Sequence, residues 1–302
     1  MRIRLSHGEK VTRWIETVFF ILLSFLFIYP FWYILVLSFN EGMDASKGGI
    51  YWWPREFTLG NYVVVLKDPA VYKAFTISVL RTVIGTAGSM VVTAMVAYGL
   101  SRKELPGRKA LVTIFFIPML FGGGLIPYYL QLINLKLINS FWVYIIPSLF
   151  NVWNMIVMKT SFKSNISESI IESARIDGAG FSRIFFAIVL PLSVPLMASL
   201  SLFTAVGHWN DWFTGAFYVN NPDLQPLQTY LQKIMSDINA INMINSTQME
   251  TKNILGLYNL NAITTRSVKM ATIMVSTLPI LFIYPFVQRF FVKGVMIGSI
   301  KE

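Results

Sequence analysis

A chain of 302 residues with 55% hydrophobic and only 13% charged side chains cannot coat a soluble globule, whose sequence ordinarily carries about 25% charge. The net charge of +10 would suit nucleic acid if it formed one basic stripe. Here the lysines and arginines sit between apolar runs, so no nucleic-acid partner is expected. Cysteine is absent, which excludes a disulfide frame, a thiol nucleophile and a Cys-based metal site. The two histidines, His7 and His208, are far apart, so no metal centre is expected.

A helix needs roughly 20 mostly apolar residues to cross the hydrocarbon core. Six stretches reach that length: 14–39, 75–100, 110–133, 141–158, 184–206 and 268–292. The expectation is an all-α, polytopic membrane protein forming a single transmembrane domain over 1–302. The first run follows Arg2, Arg4, Lys10 and Arg13 as a signal peptide would. It is longer than a signal h-region and no small-residue cleavage site follows, so it reads as a retained helix.

After the first run, the segment 40–74 contains Tyr51, Trp52, Trp53 and Pro54, a group suited to the membrane interface. Within the third run Gly122, Gly123 and Gly124 predict a bend or a local unwinding. Prolines fall inside the runs at Pro30, Pro118, Pro147, Pro191, Pro195, Pro279 and Pro285. Each removes a backbone donor; kinked helices suit a protein that rearranges, and static spans carry proline too. The long segment 207–267 is rich in Asn, Gln and Thr and has room for short helices and for docking an external partner. With the N-terminus inside, the larger set of Lys and Arg falls on the shorter, inner segments, which places both termini in the cytoplasm.

The inner loop 159–183 is the most informative segment. Asn165 followed by Glu168 has the spacing of an N-cap with an acid at N3, predicting a short helix through Ile170, Ile171 and Ala174 that stops at Gly178 or Gly180. Charges fall on one side of it and small or apolar residues on the other, a form suited to the groove of another protein. The residues Glu172-Ser173-Ala174, then Gly178, then Ile188-Val189-Leu190-Pro191 resemble the Glu-Ala-Ala, Gly, Ile-x-Leu-Pro pattern of binding-protein-dependent importers of the ATP-binding-cassette class. Ser173 for Ala is the one departure.

The likeness extends along most of the chain. Ala97-Tyr98-Gly99-Leu100-Ser101-Arg102, Trp209-Asn210-Asp211-Trp212 and the tail from Gln288 to Lys301 are similar to segments of the maltose-transporter-like carbohydrate permeases, and within them to members for oligosaccharides and polysaccharide fragments. The resemblance implies a type I importer permease fold in the bacterial cytoplasmic membrane, with a short cytoplasmic coupling helix in the 165–180 region. It implies as partners a second homologous permease, two cytoplasmic ATPase subunits, an extracellular solute-binding protein and an oligosaccharide. Glu172, Ser173, Ala174, Asp177, Gly178 and Ala179 would form the ATPase contact, with Gly178 allowing the sharp turn. Lys293, Gly294 and Lys301 either touch the ATPase dimer or serve only as a basic topological flank.

No G-x-x-x-x-G-K-[ST] occurs, so the chain itself is expected to be no enzyme and to hold no cofactor. ATP and Mg would be bound by the ATPase partners. Aromatic faces and amides suit a sugar, which makes Asn151, Trp153, Asn154, Trp209, Asn210, Asp211 and Trp212 candidates for the substrate path; for the tryptophans an interfacial belt is the alternative. Arg81 and Glu16 can reach an interface by snorkelling and receive no role. The segment 225–253 is a candidate contact for the binding protein. The same fold could carry a non-sugar solute. A self-sufficient channel or secondary transporter would need charged residues deep in several spans, which are scarce.

Overall fold

The structure, a computed structural model, describes residues 7–236 and 265–298, with side chains as far as Pro285 apart from Thr265 and Tyr284. Among the described residues there is no strand, only one isolated antiparallel bridge between Asn40 and Phe57, so the all-α expectation holds. Among the described residues, three helices are long and apolar enough to cross a membrane, and up to six spans result if each of three bent helix pairs counts as one. The chain divides into two compact units, Met1–Asp68 with Ile234–Thr277, and Pro69–Lys233 with Leu278–Glu302.

In the first unit α1 (His7–Ser38) exposes Phe19, Phe20, Ile21, Leu22, Leu26 and Phe27 around its circumference. A helix apolar all round belongs in lipid. Its last turn is different: Val36 and Leu37 pack with Ala45 and Ile50. The chain then enters α2 (Gly42–Lys47) and α3 (Gly60–Lys67). A buried polar network fixes this turn. The Asn61 amide donates to the Ser38 and Asn40 carbonyls at 2.9 Å each, and the Asn40 amide donates to Asp44 at 3.0 Å. Arg55 closes it with a 3.1 Å ion pair to Asp44. The expected interfacial aromatics are exposed at Tyr51, Trp52 and Trp53; Trp52 stacks on Phe25 and its carbonyl accepts from the Trp32 indole at 3.0 Å.

The second unit is built on α4 (Pro69–Ser101), which packs chiefly against α7 (Val152–Asn165) and α11 (Val194–Asn210). Small residues on one face, among them Ala74, Ser78, Gly85, Ser89, Ala94 and Ala97, are buried and let the neighbours approach, as in membrane helix packing generally. Between α4 and α7 come α5 (Arg108–Leu120) and α6 (Leu125–Asn134), bent by 119° at the three glycines. Gly124 takes φ +84 there, a conformation open to glycine at little cost.

The fourth expected span, 141–158, is not one helix. Two 3-10 turns, Phe141–Tyr144 and Ile146–Ser148, precede α7 at a 43° bend. The Asn151 side chain caps α7 by accepting from the Asn154 N–H at 2.9 Å, and the helix runs to Asn165, through the first part of the expected loop. The loop helix α8 (Glu168–Ile176) follows. The fifth span is also broken: α9 (Phe181–Ile184), a π-helical stretch Phe185–Val189 and α10 (Leu190–Leu192) turn by 81° into α11. Pro191 and Pro195 flank that turn, and prolines and π-bulges are the usual causes of helix kinks. Segment 207–236 contributes the end of α11, α12 (Phe213–Tyr218), a 3-10 turn Pro222–Leu224 and a helix α13 over 227–236. The last helix, α14, is Thr265–Gly298.

Candidate coupling helix and polar interior

Helix α8 is capped differently from the sequence expectation. Its N-cap is Ser167, whose hydroxyl accepts from the Ser169 N–H at 3.3 Å. Asn165 stays in the last turn of α7 and donates to Ser161 at 2.9 Å, because Ile166 between them is buried in the core and ends α7 in an extended conformation. Glu168 is consequently the first helical residue, where a carboxylate favours the helix N-terminus. The far end stops at Gly178, with φ +78. The Gly178 N–H donates to the Arg175 carbonyl at 3.0 Å and the Ala179 N–H to the Ala174 carbonyl at 2.9 Å, the paired bonds of a glycine-terminated helix.

These bonds sort the proposed contact residues. Ile171 is buried, and Ala174 and Ala179 pack half-buried against the same core cluster as Tyr98 and Phe162. Glu172, Ser173, Asp177 and Gly178 are exposed, and Ile176 is 86% exposed. Ala174 and Ala179 thus anchor the helix, while Glu172, Ser173, Ile176 and Asp177 face outward. Two ion pairs tie α8 to the residues after α4: Lys103 to Glu168 at 3.0 Å and Arg175 to Glu104 at 3.1 Å. A hydrogen bond from its own backbone, then Arg175, hold the Glu104 carboxyl below its ordinary value.

The polar candidates for the substrate path separate in the same way. Asn154 is buried and its amide donates to Thr204 on α11 at 3.2 Å, and Asn151 is a helix cap, so both have structural partners. Trp209 is buried edge-on against Phe75. Asp211 is half-buried and held by Arg81. Trp153, Asn210 and Trp212 are exposed. In the tail, Lys293 and Gly294 fall on the α14 backbone, and Lys301 and residues 237–253 lie outside the described residues.

Arg81 is the residue that sequence reasoning missed. It is 1% exposed. Its Nη2 donates to Asp211 Oδ2 at 2.6 Å and its Nη1 to the Asp211 carbonyl at 2.9 Å, and the guanidinium lies 4.6 Å from the centre of the Tyr144 ring. The available signal was a lone arginine inside an apolar run together with an aspartate flanking another.

The model of the family described as binding-protein-dependent transport system inner membrane component matches residues 107–297. Among curated proteins the chain is similar to the polygalacturonan/rhamnogalacturonan transport system permease protein YtcP of Bacillus subtilis (strain 168), 37% identical over 94% of this chain and 96% of the relative. It is also similar to the protein LplC of the same strain, 37% identical over 91% of this chain and 89% of that one. Among solved structures, a chain of a bacterial ABC transporter involved in the import of the acidic polysaccharide alginate aligns at TM-score 0.85 and 27% identity, covering 95% of this chain and 99% of that one.

Proposed function

The chain belongs to the inner-membrane components of binding-protein-dependent transport systems, and from that premise we propose that it forms half of the pathway of an ATP-driven importer for oligosaccharide fragments of an acidic polysaccharide. The observation that carries the ATP-driven part is α8. It is anchored on the core by Ile171, Ala174 and Ala179 and presents Glu172, Ser173, Ile176 and Asp177 outward. Such a helix, apolar on one side and free on the other, is suited to a groove in a partner.

In this reading α8 lies in the cytoplasm with both termini, and one of two ATPase subunits, which hold ATP and Mg, takes it into its cleft. A second permease completes the pathway, and an external binding protein delivers the substrate. The acidic saccharide is supported by two of the proteins similar to this chain, the polygalacturonan/rhamnogalacturonan transport permease and the importer of the acidic polysaccharide alginate. Trp153, Asn210 and Trp212, exposed aromatic and amide groups, are the remaining candidates for sugar contact.

The test is a mild-detergent pull-down of the chain co-expressed with its genomic neighbours, wild type against Glu172→Lys and Gly178→Asp. Recovery of an ATPase and a second permease by wild type, with loss of only the ATPase in the variants, supports the reading. Absence of any ATPase with wild type overturns it.

A further inference from the structure

Ion pairs lie just beyond the C-terminus of helix α4 and, within its N-terminal half, at Arg81. Just beyond its C-terminus, Lys103 and Glu104 hold α8. Arg81 lies about 30 Å away along the helix at 1.5 Å per residue, and there it holds Asp211. The two kinds of pair differ in burial. Every residue in the α8 pairs is at least 36% exposed at its side chain, whereas Arg81 is 1% exposed and its partner Asp211 32%. Exposed pairs are weak and adjustable; a buried one breaks only at high cost.

What Arg81 holds is the junction of four elements. Asp211 follows the last residue of α11, and its Oδ1 accepts from the Thr214 N–H at 3.1 Å in the first turn of α12. Tyr144, under the guanidinium, donates to the Leu224 carbonyl at 3.0 Å. Ser78, one turn before Arg81, accepts from the Leu227 N–H at 2.8 Å at the start of α13. The Thr229 hydroxyl on α13 donates to the Trp212 carbonyl at 2.8 Å. The segment 211–233 is thereby one hydrogen-bonded piece, and its attachment to α4 centres on a single buried cation. The other ion pair in that attachment, Lys73 with Asp223, is exposed on both sides.

We propose that Arg81 is a positioning residue: through Asp211 it locks the segment after α11 to α4, so that docking of the binding protein on that segment moves α4 as a rod and reaches α8. This rests on the importer reading. It assigns Arg81 no contact with the transported solute. The lock is mechanical, and α4 is the element both ends share.

The test uses the complete importer in lipid, with its ATPase subunits and binding protein. ATP hydrolysis is measured against binding-protein concentration for wild type, Arg81→Lys, Asp211→Asn and, as a control, Lys73→Ala. Asp211→Asn keeps the shape and removes the charge; Arg81→Lys keeps the charge and loses the two-armed grip and the stacking on Tyr144. We expect the saturating, binding-protein-stimulated rate to fall about tenfold in both, within the usual range of coupling energies, while basal hydrolysis and the half-saturating concentration stay within about threefold. Lys73→Ala should match wild type. Stimulation unchanged in both variants overturns the proposal, as does loss of basal and stimulated rates together, which marks a purely structural role. A raised half-saturating concentration with full saturating rate also overturns it, since the segment would then be only a binding surface. If wild type itself assembles with no ATPase, the importer reading fails, and the inference with it.

Discussion

The imidazole of His208 occupies the space that a Cβ at residue 85 would need. A methyl built on Gly85 would sit 2.5 Å from both Cε1 and Nε2 of the ring, and His208 is buried. At this contact α4 therefore meets α11 with only a glycine hydrogen facing the ring. Gly85→Ala is expected to destabilise the α4–α11 pair by about 1–3 kcal/mol, the usual effect of overpacking. Gly88→Ala is the control. Its Cβ would meet only the end of the Leu149 side chain, at 2.8 Å, which can turn away, so the loss should be smaller. Thermal unfolding in detergent checks both, and His208→Ala in the Gly85→Ala background should show coupling of about 0.5–3 kcal/mol.

The cap of α8 gives a second expected outcome. Ser167→Ala removes the hydroxyl that accepts from the Ser169 N–H and should cost about 1 kcal/mol. Asn165→Ala removes only contacts with Ser161 and Ser164 within α7 and should leave α8 nearly unchanged. Amide exchange over residues 167–171 separates the two; equal loss of protection in both variants would restore Asn165 as the cap.

That reassignment shows what the sequence could and could not disclose. Serine and asparagine both cap helices, so 165 and 167 compete on local chemistry, and the choice is made by burial of Ile166 between them, a tertiary fact. The long apolar runs, the glycine break at 122–124 and the glycine stop of α8 were legible because each depends on local composition or local backbone freedom. Pro147, Pro191 and Pro195 marked the fourth and fifth runs for kinks, but the form of their breaks was not legible. Hydropathy counts apolar residues alike in a straight helix, in the 3-10 turns at 141–148 and in the π stretch at 185–189. Arg81 read as a snorkelling side chain because its partner is 130 residues away, and nothing local distinguishes a cation reaching for the interface from one already neutralised. The Trp-Asn-Asp-Trp segment offered candidates for the substrate path, with an interfacial belt as the alternative for its tryptophans; the helix end at Asn210 turns Trp209 inward and gives Asp211 to Arg81.

The turn after α8 makes a third expectation specific to backbone conformation. An added Cβ at Gly178 would meet no atom within 4 Å, so any penalty there comes from φ +78 and not from crowding. Gly178→Ala should therefore cost about 1–2 kcal/mol, the price of a left-handed L-residue, while Gly178→Asn, a side chain that tolerates this region, should cost less. Both leave the outward face of α8 chemically intact. Comparing them by thermal unfolding and by ATPase recovery separates the geometry of the turn from the surface it presents: recovery should follow stability, with Asn above Ala.

The polar network after α1 predicts a pH dependence with a definite sign. The hydrogen bond from Asn40 is the largest influence on the Asp44 carboxyl, burial opposes it, and Arg55 assists; the balance holds Asp44 below its ordinary value. The unfolded chain therefore binds the proton more readily than the folded one. Stability from this group is present in full above the ordinary carboxylate range and is lost as pH falls through the depressed value. Protonation would weaken the ion pair with Arg55 and the acceptance from Asn40, loosening the turn that joins α1 to α3. Amide exchange over residues 40–62, followed from neutral to acid pH, should show protection falling on the acid side, and Asp44→Asn should be less protected at neutral pH with a flatter acid response. A variant that keeps the full acid response would place the titrating group elsewhere in the segment.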